Sequence, residues 1–121
     1  MTERITEQQV KDWVAGYVAA WRSGERADVE ALFAKDAESY EWPYETAWVG
    51  RKAIVEGWRE RAPWQAGGWT FDWTLLAING DTFAVQGTGV YTELGVFDNL
   101  WVVTLGGDGR ATRFRMWNNE A

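Results

Sequence analysis

The sequence predicts an α+β domain, with N-terminal helices packed on a curved antiparallel sheet. Three observations carry that prediction. Apolar residues recur at helical spacing in two stretches of the first half. After Gly68 the periodicity changes to long strand-like runs. Turn signals separate those runs at "NGD" (79–81) and "GGDG" (106–109). Helices segregated in sequence from antiparallel strands define this class.

Element by element, Thr6 with Gln9 three residues on forms a capping box. Val10, Trp13, Val14, Tyr17, Val18 and Trp21 then follow on one helical face, and Ser23-Gly24 ends it. A second helix is expected over 26–34, burying Val29, Leu32 and Phe33. "DAESYEW" (36–42) has strand character and stops at Pro43. Gly50 opens a third helix, "RKAIVEGWRERA", with Ile54, Val55 and Trp58 inward and Pro63 at its close. Four strands are expected from "WTFDWTLLAI", "TFAVQGTGVYTEL", "FDNLWVVTL" and "RATRFRMW", with Gly95 marking the reversal between the second and third. On the last strand Phe114 and Met116 face in, and Arg113 and Arg115 face out. Gly87 and Gly89 mark a bend or leave room for a ligand.

Composition bounds the function. A chain of 121 residues has the length of one domain, 1–121, and its 46% hydrophobic and 25% charged content is that of a globular protein. Twelve basic against eighteen acidic side chains leave a net charge of −6, which argues against nucleic acid and anionic membrane partners. The absence of cysteine removes disulfides and thiolate nucleophiles and suits a cytoplasmic location. The absence of histidine removes imidazole bases and His-ligated metals, so no metal site is expected. The N-terminal stretch lacks the apolar run of a signal peptide, and no segment has the length of a membrane span.

Ten tryptophans, four tyrosines and five phenylalanines exceed what a core of this size needs. They form either a Trp-heavy core with interface indoles, or the lining of a cavity for an apolar ligand. The stretch "YEWPYETAW" (40–48) sharpens the choice, because it mixes four aromatics with two glutamates around Pro43. It is expected to be a cavity wall.

The stretches "YVAAWRSGERADVEALFAKDA" (17–37), "GRKAIVEGW" (50–58) and "FDNLWVVTLGGDGR" (97–110) resemble the NTF2-like superfamily, specifically its SnoaL-like and ketosteroid-isomerase-like small proteins. The resemblance covers nearly the whole chain and includes no catalytic signature. It implies a cone-shaped fold, usually dimeric, with a deep pocket open at one end. It implies a cofactor-independent isomerase, cyclase or dehydratase type of enzyme acting on a small hydrophobic molecule, or a non-catalytic binding or dimerisation module, since fold does not fix function.

Carried over by the resemblance, Tyr17 matches an oxyanion-donating tyrosine on the first helix. The catalytic carboxylate falls on Glu41 when counted without gaps from Tyr17. Aligned instead on Pro43, the position is Trp42. The two registers are exclusive, because one turns Ala37, Ser39 and Glu41 inward and the other Glu38, Tyr40 and Trp42. The ungapped register is the one adopted here, with a raised carboxylate pKa expected for Glu41 from desolvation. The second oxyanion donor of the isomerases, a protonated acid, is replaced by Trp101, whose indole donates but does not titrate. Met116 stands where relatives carry an acid. These departures argue against steroid isomerisation. The expected site is therefore Glu41 and Tyr17 as the acid–base pair, with Trp42, Trp58, Trp73, Asn99, Trp101, Phe114 and Met116 around the ligand. Tyr17 as a plain core tyrosine and Glu41 as a solvated strand residue are the competing readings. Apolar residues on both strand faces, Leu100 and Val102 against Trp101 and Val103, suggest a homodimer through the outer sheet face.

Overall fold

Helix α1 spans Glu7–Ser23 and begins with the capping box expected from sequence: Thr6 and Gln9 satisfy each other's backbone N–H groups. The computed structural model describes residues 4–120. Gly24 closes α1 in the left-handed conformation that glycine adopts without strain. Helix α2 covers only Arg26–Glu30, and Phe33 already opens strand β1, Phe33–Trp42. The expected helix over 26–34 is thus cut short. Its apolar residues Leu32 and Phe33 are buried as anticipated, but Phe33 is buried by pairing opposite Ala111 in the sheet.

A turn with a cis Trp42–Pro43 bond leads to a short strand β2, Thr46–Val49, which the sequence pattern does not disclose. Helix α3, Arg51–Arg61, follows and runs into a 3₁₀ turn at Ala62–Gln65. Four long strands complete the chain: β3 Trp69–Asn79, β4 Thr82–Tyr91, β5 Gly95–Leu105 and β6 Ala111–Glu120. They form one sheet in the order β2-β1-β6-β5-β4-β3. The α+β class is as expected. The sheet is mixed, however: β1 runs parallel to β6 while every other pair is antiparallel. A parallel partner requires a crossover, and the α3–β3–β4–β5 segment supplies it.

The core lies between α1 and the inner sheet face. Trp13 sits at its centre, in aromatic contact with Phe33, Phe83, Trp101 and Phe114, and its indole N–H donates to the Leu32 carbonyl at 3.1 Å. That bond is what a buried indole needs to avoid a desolvation penalty. Phe114 and Met116 are buried, while Arg113 turns outward and pairs with Glu38 on the neighbouring strand at 3.8 Å. Gly87 makes room for a side chain rather than for a ligand: a Cβ there would lie 2.3 Å from the Phe71 ring, which stacks on Trp101 at 5.0 Å. Among the described residues, no helix is long and apolar enough to cross a membrane.

Candidate functional site

The parity of β1 decides the site. Ala37, Ser39 and Glu41 are 0%, 1% and 5% exposed, whereas Trp42 is 37% exposed. The ungapped register is therefore the one the chain adopts. Glu41 turns inward at the open end of the cone, beside Met116 of β6. Trp42 turns to the outer face, where it stacks on Trp117 at 4.9 Å.

A cavity of about 380 Å³ occupies the open end, a volume suited to a small organic molecule. Six of the ten tryptophans line it: Trp21, Trp48, Trp58, Trp64, Trp69 and Trp101. The excess of indoles thus lies at a pocket wall as much as in the core. Of the expected residues, Tyr17, Glu41, Trp58, Asn99, Trp101 and Met116 meet at this cavity. Trp42, Trp73 and Phe114 do not line it. Trp73 packs against the core from β3, and Phe114 lies beneath Tyr17, with the two rings stacked at 5.5 Å.

The feature that sequence reasoning missed is Arg61. It forms an ion pair with Glu41 and donates to the Thr46 hydroxyl at 2.7 Å. Glu41 and Thr46 are cross-strand neighbours, so the β1–β2 hairpin presents a carboxylate and a hydroxyl side by side. Helix α3 brings Arg61 to them because it crosses β2 at Gly57. A Cβ at Gly57 would lie 2.2 Å from the Trp48 ring, so only glycine permits that approach. Arg61 follows one helical turn later, over the faces of Trp48 (4.5 Å) and Trp64 (4.9 Å). A sequence signal existed: Ile54, Trp58 and Arg61 are spaced by four and three, so the arginine continues the buried stripe of an amphipathic helix. Burial pushes the Arg61 guanidinium below its usual range, and the Tyr17 phenol opposes that shift.

Tyr17 sits among Trp58 (4.8 Å), Trp101 (4.3 Å) and Phe114. Among the described residues its hydroxyl makes no hydrogen bond. Burial raises its pKa, Tyr91 adds to the rise and Arg61 works against it, so the phenol keeps its proton at neutral pH. Trp101, the expected second donor, is engaged elsewhere: its indole N–H donates to the Asn99 side-chain oxygen at 3.3 Å. Asn99 in turn donates to Asn118, which donates to the Tyr44 hydroxyl at 2.6 Å. These bonds occupy the Trp101 N–H and leave the Tyr17 hydroxyl free to donate at the cavity that also holds the Glu41–Arg61 pair. Glu41 is buried as expected, and the Arg61 guanidinium is in contact with it as a countercharge.

A family model described as a SnoaL-like domain matches residues 14–118. Among solved structures, a protein of unknown function with a cystatin-like fold from Methylobium petroleophilum PM1 is similar, at 18% identity and a TM-score of 0.77, over 98% of this chain and 80% of that one. A SnoaL-like protein of unknown function from Burkholderia thailandensis E264 aligns at 19% identity and a TM-score of 0.75, over 96% and 98% of the two chains. A SnoaL-like family protein from Agrobacterium tumefaciens C58, provisionally called an isomerase, aligns at 18% identity and a TM-score of 0.74, over 93% and 98%. Likeness at these identities is a likeness of fold. No curated protein matches the chain.

The buried pair makes a prediction about stability. Arg61→Met strands the Glu41 carboxylate and is expected to cost about 3 kcal/mol in a urea denaturation. The double variant Glu41→Gln with Arg61→Met removes both charges and is expected to recover most of that loss. If the single variant costs no more than the double, the two side chains are not coupled.

Proposed function

The chain belongs to the SnoaL-like domain family, and on that premise we propose that its cavity binds a small hydrophobic molecule and acts on it by general acid–base chemistry, as a cofactor-independent isomerase, cyclase or dehydratase. The observation that carries this reading is the Glu41 carboxylate, buried in an aromatic cavity that also holds the Tyr17 hydroxyl. In such an enzyme Glu41 takes a proton from carbon next to a ligand carbonyl. Tyr17 donates to the oxygen on which negative charge develops, and Glu41 returns the proton at a new position. Trp58, Trp101 and Met116 exclude water around the reacting atoms, and the aromatic wall supplies the affinity for an apolar body. Arg61 orients the carboxylate.

The same ion pair favours a second reading. A carboxylate satisfied by a guanidinium is a weaker base than a free one, so the cavity would sequester a ligand without changing it. The two readings separate on 2-tetralone in D₂O, followed by proton NMR. An enzyme of the proposed type accelerates exchange of the protons next to the carbonyl, and Glu41→Gln lowers that rate on the order of 10²-fold or more. A protein that binds the ketone without accelerating exchange is the binding module.

Ligand occupancy itself is tested at Met116. Met116→Trp places an indole in the cavity beside Glu41 and is expected to abolish binding of a hydrophobic fluorescent probe with little change in melting temperature. In a solid core the same change overpacks, at a cost of roughly 1–3 kcal/mol.

The partner in this reading is a second copy of the chain, docked through the outer face of the sheet. Across the paired strands, Trp42, Trp117 and Leu100 form one row and Tyr40, Arg115 and Val102 the next, with Glu38, Arg113 and Asp98 at the margins. An apolar centre with a charged rim is the composition of a protein interface. The Arg115 Nε is buried there without a hydrogen-bond partner among the described residues, and a facing copy would supply one. Sedimentation at micromolar concentration is expected to give about 28 kDa, twice the 13.8 kDa chain mass. A 13.8 kDa species under those conditions counts against the dimer.

A further inference from the structure

Tyr91, the last residue of β4, lines the cavity together with Tyr17 and Trp21 of α1. Trp21 lies one helical turn beyond Tyr17, and its indole N–H donates to the Tyr91 hydroxyl oxygen at 3.1 Å. That bond uses an oxygen lone pair and leaves the proton of Tyr91 unspent. Among the described residues the Tyr91 proton has no acceptor, and the Tyr17 hydroxyl makes no hydrogen bond at all. Three phenol O–H groups at this cavity thus lack an acceptor; Tyr44, whose hydroxyl accepts from Asn118, is 43% exposed to water, which leaves Tyr17 and Tyr91 as the two half-buried in the aromatic wall. Polar groups so placed in an aromatic wall are costly unless a ligand or water satisfies them.

We infer that Tyr17 and Tyr91 form a two-donor subsite for one neutral acceptor oxygen of the ligand, a ketone, aldehyde or quinone carbonyl. This rests on the ligand-pocket reading above. A carbonyl oxygen has two lone pairs and accepts both donors at once. The surroundings argue for a neutral oxygen rather than a carboxylate, because Glu41 lies in the same cavity with its countercharge already supplied by Arg61. Trp101 does not compete for the oxygen, since its N–H is held by Asn99.

The position of Tyr91 is prepared from behind. Gln65 donates to the Trp21 backbone carbonyl and accepts from the Trp69 indole at 2.7 Å, and Trp69 stacks on Tyr91 at 5.9 Å. Donation from Trp21 also polarises the Tyr91 O–H and makes it the stronger donor. Burial raises the Tyr91 pKa against the effect of that bond, so the group stays a phenol.

The test compares two rigid ligands of one shape, 9-fluorenone and fluorene, by tryptophan quenching on the full chain. Each neutral hydrogen bond contributes a few-fold in affinity, so the native protein is expected to prefer fluorenone by roughly tenfold or more. Tyr91→Phe is expected to cut that preference about fivefold and to leave fluorene binding unchanged, and Tyr17→Phe to do the same. Trp21→Phe is expected to give a smaller cut, on the order of twofold. Fluorene binding reports that each variant keeps its fold and pocket. A Tyr91→Phe protein that keeps the full fluorenone preference overturns the subsite and leaves the pocket reading intact. Binding of neither ligand to the native protein overturns both.

Discussion

The pocket depends first on how β1 lies against β6. Their parallel register sets Glu41 opposite Met116 and Trp42 opposite Trp117. A shift of one residue would exchange the two faces along the whole strand, putting an indole in the cavity and a carboxylate on the outer sheet. The register shifts between Phe33 and Glu38, and beyond that irregularity the burial of Ala37 and the pairing of Ser39 opposite the core residue Phe114 hold it. The residues that fix the site are therefore core residues, placed by the hydrophobic effect.

With that parity fixed, the charged side chains arrange themselves under one constraint, the cost of burying a charge without a partner. Glu41 enters an aromatic wall and needs a counterion. Helix α3 delivers Arg61 because Gly57 lets it press against Trp48, and the guanidinium then finds Trp48 and Trp64 for its faces and Thr46 as an acceptor for its second amino group. The amide chain from Trp101 through Asn99 and Asn118 to Tyr44 follows the same rule for neutral groups. Beside the solvent-exposed Tyr44, the half-buried hydroxyls of Tyr17 and Tyr91 stand out against these bonded groups, because they line the cavity with protons to give.

The glutamates and aromatics of "YEWPYETAW" are both needed because the segment has two faces. Glu41, Tyr44 and Trp48 look into the cavity, while Tyr40 and Trp42 stack in series with Trp117 on the outside. One short hairpin thus carries the acid of the site on one side and part of the outer apolar face on the other.

The sequence by itself determined the class of fold, the long strands, the helix α1 with its cap, and the inward stripe of Tyr17 and Trp21. Those features are local: they rest on periodicity, capping and turn chemistry within a few residues of each other. Periodicity left two registers for β1 open, since it shows alternation and not which face is buried; the ungapped one is favoured only through the resemblance from Tyr17 to Ala37. Tertiary structure alone decided the rest. The parallel β1–β6 pairing joins residues some seventy-five positions apart, and the short edge strand β2 exists only because β1 is there to pair with it. The Glu41–Arg61 contact, the engagement of Trp101 by Asn99 and the meeting of Tyr91 with Trp21 are equally non-local. No spacing along the chain encodes them, because each depends on where a helix or strand from elsewhere in the fold comes to rest.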